Sequence, residues 1–208
     1  MTFEEIRTIL SGYTVGIAGA GGLGSNCAAS LARVGVGKLI FADFDIVEES
    51  NLNRQYFFYD QIGMKKVEAL SDNLLRINPS ICLVPIDEKL TAESIAFNFG
   101  ECDVIVEAFD EAEMKQMIIE AVGLYFPDKL LVSAMGLGGI GNMNEMKVNK
   151  FGNLWVCGDM NMEVGEGNPP IAPRVCVAAN MQADAVVEYL IELKIRKLKD
   201  ESVGLYKD

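Results

Sequence analysis

The sequence predicts an α/β protein with a doubly wound, mainly parallel sheet, an antiparallel extension and a long C-terminal helix. Three observations lead there. Short apolar runs alternate with amphipathic segments of helical period along most of the 208 residues, the order that builds a sheet with helices on both faces. The first apolar run ends in a glycine-dense turn, Gly19-Ala20-Gly21-Gly22-Leu23-Gly24, with a helix-like segment directly after it. The run from Asp103 to Ala108 is apolar almost throughout, as suits a strand covered on both faces.

Each element has a local reason. Thr2 and Glu5 stand at capping-box spacing before a short helix ending at Leu10. Tyr13 to Ala18 reads as strand one, and Gly24 to Val34 as a helix stopped by Gly35-Val36-Gly37. Leu39 to Ala42 is strand two. After a polar stretch, Val67, Leu70, Leu74 and Ile77 mark a helix from Met64 to Ile77, closed by Asn78-Pro79. Ile81 to Ile86 is strand three, Thr91 to Phe99 a short helix, Asp103 to Ala108 strand four, Glu111 to Tyr125 a helix and Leu130 to Met135 strand five. The glycines from Gly136 to Gly141 are expected to end the parallel part of the sheet. Glu145 to Val148 and Asn153 to Cys157 suit a hairpin around Lys150-Phe151-Gly152. A Gly-, Asn- and Pro-rich loop from Asp159 to Ala172 precedes a helix that Pro173 opens and that runs to about Leu198. No repeat interrupts this order, so residues 1–208 are expected to form one domain.

Composition removes several functional classes. The formal net charge is −12 and the pI about 4.5, which disfavours nucleic acid or an anionic membrane as partner. No stretch reaches the ~18 apolar residues of a membrane span, and Met1-Thr2-Phe3-Glu4-Glu5 lacks a signal peptide's basic and apolar regions; a cytoplasmic location is expected. Five cysteines without a Cys-x-x-Cys pair, and no histidine at all, argue against zinc and for free, mostly buried thiols. Without an imidazole, histidine triads and histidine general bases are excluded.

A glycine turn after a strand is by itself a weak signal, used most often to hold NAD(P) or FAD. Its glycines let the backbone approach phosphates at a helix N-terminus, where free N–H groups and the dipole favour anions. Asp43 lies roughly 20 residues further on, where the ribose-binding carboxylate of a Rossmann-like unit is expected. Two features point away from a dehydrogenase. The turn carries one more glycine than the dinucleotide fingerprint needs. The segment after strand two, Asp43-x-Asp45-x-Val47-x-x-Ser50-Asn51-Leu52-x-Arg54-Gln55, is long and polar for a connector.

With Gly35-Val36-Gly37, Gly63-Met64-Lys65-Lys66, Arg76-Ile77-Asn78-Pro79 and Asp110 in the same order, the array resembles the ubiquitin-activating-enzyme-like adenylyltransferases of the ThiF/MoeB/HesA family. The resemblance covers roughly the first 150 residues and is greatest to the short, zinc-free ThiF form of thiamine biosynthesis. It implies adenylylation of the C-terminal glycine carboxylate of a small ubiquitin-fold sulfur carrier ending in Gly-Gly, with ATP and Mg²⁺ and without zinc, by a homodimer. It further implies that Gly19, Gly21, Gly22, Gly24, Ser50 and Asn51 line the nucleotide and Asp43 holds the ribose. Arg54 and Lys66 would supply positive charge to the phosphates, and Asp110 would ligate Mg²⁺. Lys66 is preferred to Lys65 because it stands three residues after Gly63. The chemistry suits a chain without histidine, because a carboxylate nucleophile is already ionised and catalysis rests on orientation and charge stabilisation.

Other readings stand beside these. Arg54 and Lys66 could be ordinary solvated charges, and Asp110 a cap for the helix beginning at Glu111. Lys115 falls where the family often has arginine, and an exposed helix lysine explains it equally well. Cys157 and Cys176 flank a region where relatives pass sulfur or a thioester, but buried structural thiols are favoured. The loop from Asp159 to Ala172 is expected to be a mobile crossover closing over a carrier tail, against the simpler reading of a passive linker. An NAD(P)-binding module would explain the turn and Asp43, though not Arg54, Lys66 and Asp110 together. A subunit that has lost catalysis is a further reading, which the intact Arg54, Lys66 and Asp110 argue against. Within the family, a molybdopterin-type carrier or a tRNA-bound carboxylate would be an alternative acceptor.

Overall fold

The computed structural model describes the backbone of residues 1–204 and the side chains of residues 1–199. Its elements are α1 (Phe3–Leu10), β1 (Thr14–Ala18), α2 (Gly22–Val34), β2 (Lys38–Ala42), α3 (Lys66–Ile77), β3 (Cys82–Ile86), α4 (Ala92–Asn98), β4 (Val104–Glu107), α5 (Ala112–Tyr125), β5 (Leu130–Ala134), β6 (Lys147–Phe151), β7 (Leu154–Gly158) and α6 (Ala172–Gly204). The seven strands form one sheet in the order β3-β2-β1-β4-β5-β7-β6. No described helix is long and apolar enough to cross a membrane.

Local chemistry sets most boundaries. Thr2 and Glu5 form the reciprocal capping box at the start of α1. Gly35 takes the left-handed conformation that closes α2. Helix α2 starts two residues earlier than the sequence suggested, with Gly21 as N-cap and no capping side chain. Helix α3 starts two residues later, at Lys66. The backbone before it is occupied by the Asp45–Val47 segment, through Val47 N to Met64 O, Gly63 N to Val47 O and Lys66 N to Asp45 O.

Alternation along the strands divides the core in two. Val15, Ile17, Val104 and Val106 face a larger cluster with α1, α2, α3 and α6, whereas Ala18 and Ile105 face a smaller one with α4 and α5. Helices therefore cover both faces, as the apolar run of β4 requires.

One expectation is corrected. The glycine-rich segment 136–141 does not end the parallel part of the sheet. Strand β7 pairs in parallel with β5, Leu131 opposite Leu154 and Ala134 opposite Cys157, and only β6 runs antiparallel, at the edge. Side chains decide which arm of the hairpin goes inside. The arm Leu154-Trp155-Val156-Cys157 is almost wholly buried, whereas Lys147-Val148-Asn149-Lys150-Phe151 has no buried residue and carries two lysines, the composition of a protected edge. The final helix also extends past Leu198, to Gly204.

Candidate active site

Strand β1 has β2 on one side and β4 on the other, so the chain leaves the sheet in opposite directions from these two neighbours. A crevice opens at such a switch point, beyond the carboxyl ends of the strands. Here it is a cavity of about 670 Å³, bounded by the turns after β1, β2, β4 and β5 and by the crossover before α6.

The glycine turn forms its base. A Cβ on Gly24 would lie 1.8 Å from the carbonyl oxygen of Gly19, so only glycine lets α2 start this close to the end of β1. Gly19 itself has φ +103°, and a Cβ there would meet the carbonyl oxygen of Ala108 at 2.8 Å. Gly19, Gly21 and Gly22 line the cavity, whereas Gly24 supports the turn from behind. The first turn of α2 has no acidic residue and no side-chain cap, which leaves its N–H groups and dipole available to an anion.

Asp43 follows β2 and ties the two loops together. Its Oδ2 accepts a hydrogen bond from Ala20 N at 2.7 Å, and its Oδ1 accepts one from Asp45 N at 2.9 Å. Lys66, buried at the start of α3, lies with Nζ 2.7 Å from Asp45 Oδ2 and 4.0 Å from Asp43 Oδ1. Lys65 turns outward to Asp87, at 3.2 Å. Of the two lysines, Lys66 alone lines the cavity.

Arg54 also lines it, with its side-chain stem against Gly22 and Nη1 2.8 Å from Asn53 Oδ1. Beside it, Gln55 has a buried Oε1 with no donor among the described residues. Ser50 and Asn51, expected to line the nucleotide, are not in the wall of the cavity. They build the turn that presents Arg54. Asn51 O accepts from Arg54 N and Gln55 N, and Ser50 O accepts from Arg54 Nη1. The polar Ser-Asn-Leu-x-Arg-Gln pattern thus acts partly through the backbone, which spacing alone could not reveal.

Asp110 lies opposite, exposed in the cavity wall after β4. Helix α5 begins at Ala112 with Glu111 as N-cap and without a side-chain cap bond. The capping alternative for Asp110 therefore fails, and the residue lines the cleft.

The model of the ThiF family matches residues 3–204. The chain belongs to the ThiF family. Over 81 residues it is 51% identical to ubiquitin-like modifier-activating enzyme 5 of Drosophila grimshawi, which covers 39% of this chain and 19% of that protein. Over 124 residues it is 36% identical to the sulfur carrier protein ThiS adenylyltransferase of Escherichia coli K12, covering 59% of this chain and 49% of that enzyme. The chain therefore spans half or less of the length of these relatives. Among solved structures, the E. coli tRNA N6-threonylcarbamoyladenosine dehydratase TcdA in complex with ATP superposes with a TM-score of 0.84 at 19% identity, covering 93% of this chain and 91% of TcdA. At that identity the likeness concerns the fold.

Two features of the ThiF-family cleft were misread or missed by sequence reasoning. Lys115 is no exposed helix lysine. Its Nζ lies 2.9 and 3.0 Å from the two carboxylate oxygens of Glu107 and 3.0 Å from Ala134 O. Glu107 is wholly buried at the end of β4. It also accepts from Phe109 N at 2.7 Å and from the Ser133 hydroxyl, so it fixes the turn leading to Asp110. The signal available was a carboxylate closing an otherwise apolar strand, with a lysine eight residues later.

Second, the crossover is anchored at its base. Arg174, fully buried in the first turn of α6, pairs with Asp159 and donates to Gly136 O and Gly141 O. Burial opposes the charge on Asp159, but hydrogen bonds from Met162 N and Asn161 N together with the Arg174 guanidinium hold its carboxyl below the usual carboxylate range. Between these anchors, Met160, Glu163, Val164 and Pro170 reach the cavity wall.

Most of the thiols are buried, as the sequence suggested. Cys27, Cys102 and Cys157 are buried, and burial pushes Cys157 up to about 12. Cys176 is half-buried, 3.5 Å from Asn26 Oδ1, and burial raises it as well. Neither thiol is poised as a thiolate nucleophile at neutral pH. Cys82, on edge strand β3, is exposed.

Proposed function

We propose that this cleft binds ATP with Mg²⁺ and transfers the adenylyl group to the C-terminal glycine carboxylate of a small ubiquitin-fold sulfur carrier of the ThiS type, ending in Gly-Gly. The observation that carries the reading is convergence. Arg54, packed against Gly22 at the uncapped start of α2, Lys66, paired with Asp45, and Asp110 all line one cavity. The names of two relatives, a ubiquitin-like modifier-activating enzyme and a sulfur carrier protein ThiS adenylyltransferase, support the same acceptor class.

The chemistry follows from the charges. The acceptor carboxylate attacks the α-phosphorus, an acyl–phosphate bond forms, and pyrophosphate leaves with the electrons of the broken α–β bridge. No proton is transferred, so the absence of histidine costs nothing. Arg54 and Lys66 would stabilise the negative charge that gathers on the phosphates, and the N–H groups at the start of α2 would fix their position. Asp43 would hold the ribose while keeping the turns after β1 and β2 in register.

The residues fit a magnesium ion. The cavity wall carries more carboxylates than cations, so a triphosphate entering it needs a cation of its own. Asp110 offers a hard oxygen ligand, and the orphaned Gln55 Oε1 suits a donor such as metal-bound water. Bound there with the nucleotide, Mg²⁺ would supply charge neutralisation on the phosphates.

The test is ATP–pyrophosphate exchange with candidate acceptors. Exchange driven by a Gly-Gly-ended carrier supports the reading. Exchange driven by a threonylcarbamoyladenosine tRNA instead, or binding of NAD(H) without ATP, would overturn it.

A further inference from the structure

A second, smaller cavity of about 300 Å³ lies away from the cleft, between the last turns of α2 and α3. Its walls are Arg33, Arg76, Tyr56, Phe58, Asn73 and Ile77. The chain leaves the cleft in order to build it. Arg54 and Gln55 face the cleft, while Tyr56 and Phe58, immediately after, line the second cavity.

We infer that this cavity is a binding site for a small phosphomonoester, held by Arg33 and Arg76 with the Tyr56 hydroxyl. The argument begins with unspent charge. The chain has 30 acidic residues against 18 basic ones, so carboxylates outnumber the cations they could neutralise. Yet neither Arg33 nor Arg76 forms an ion pair with a described carboxylate. Asp72 stands one helical turn before Arg76, at the spacing of a helix-surface pair, and the two do not meet. Arg33 donates only to the Tyr56 hydroxyl, at 3.3 Å. Two like charges thus line one concavity without an internal counter-ion.

The helix ends do not account for this. Both arginines sit in the last turn of their helices, where the dipole provides about half a negative charge each. Two full positive charges against two halves leave the cavity positive. Guanidinium groups match the oxygens of a phosphoryl group with paired donors. Two apolar side chains in an otherwise polar lining, Phe58 and Ile77, give the organic part of an ester a surface that bare phosphate does not use. Phe58 is half-exposed at the rim, with its ring 5.9 Å from that of Tyr56, and Ile77 stands beside it.

The cavity floor is already rigid. Asn73 donates to Tyr56 O at 2.9 Å and exchanges hydrogen bonds with Gln61, so Tyr56 is fixed between the two helices before any ligand arrives. Such preorganisation lowers the ordering cost of binding.

The test is amide chemical-shift mapping of the full chain titrated with phenyl phosphate and with inorganic phosphate, at a pH where both are dianions. Saturable shifts at Tyr56, Phe58, Asn73 and Ile77 are expected, stronger and at lower concentration for phenyl phosphate. Arg33→Gln and Arg76→Gln should each weaken binding by about tenfold, the loss of one charge-assisted pair, with unchanged melting because both side chains are exposed. Arg54→Ala, which alters only the cleft, should leave these shifts in place. Shifts confined to the cleft around Gly19–Gly24, shifts that survive both Gln variants, or no saturation up to about 10 mM, a free energy too small for specific binding, would each overturn the site.

Discussion

Arg174 and Asp159 form an ion pair whose side chains are 0% and 2% exposed, and it fastens the two ends of the crossover that overhangs the cleft. The remaining donors of the guanidinium go to Gly136 O and Gly141 O. One side chain of α6 thus ties the loop after β5, the end of β7 and its own helix together. Removing one partner of a buried pair strands the other charge in the interior. Arg174→Ala is therefore expected to destabilise the chain by about 3–5 kcal/mol, read from urea unfolding. A loss under 1 kcal/mol would mean that water reaches Asp159 freely.

The same pair predicts a pH dependence. The carboxyl of Asp159 is held below its ordinary value in the folded chain. Its contribution is therefore fully present above the unfolded pKa of about 3.9 and is lost as pH falls through the lower folded value. Urea midpoints should fall as the pH drops below about 4, in the range of unfolded carboxylates, and Asp159→Asn should show a shallower fall. Parallel curves for both proteins would remove Asp159 from the explanation.

Arg54→Ala and Lys66→Ala should each reduce carrier-dependent ATP–pyrophosphate exchange by about 2–4 kcal/mol of transition-state stabilisation. Lys65 serves as the internal control, because its ammonium pairs with Asp87 outside the cleft. Lys65→Ala should keep near-normal exchange. Equal losses at positions 65 and 66 would refute the assignment of Lys66.

Lys115→Met tests the support under Asp110. It leaves the buried carboxylate of Glu107 without its cation, and a cost of about 3–5 kcal/mol is expected. An exposed helix lysine would change stability by no more than about 0.5 kcal/mol. Thermal unfolding separates the two outcomes.

The crossover between its anchors should respond to ligand. Amide hydrogen exchange at residues 160–168 is expected to slow when ATP and a Gly-Gly-ended carrier are both present, because Met160, Val164 and Pro170 already reach the cavity wall. Exchange that is unchanged there while other segments gain protection would leave this stretch a passive connector.

Neighbours along the chain decide much of this fold. The capping box of Thr2 and Glu5, the stop at Gly35, the glycine turn before α2 and the alternation of strand and helix all arise from contacts within a few residues. The order of Gly22, Asp43, Arg54, Lys66 and Asp110 belongs with them, because a parallel sheet carries successive loops to the same strand ends. Tertiary structure alone decided the rest. It put β7 rather than β6 against β5, since burial of Trp155, Val156 and Cys157 is settled only when both arms compete for one edge. It moved Ser50 and Asn51 behind Arg54, turned Lys115 onto Glu107, and joined Arg174 to Asp159 and Gly136. For Lys115 and Arg174 in particular, a buried charged group had to find a partner from another element, and no local pattern records which partner the packed chain will bring within reach.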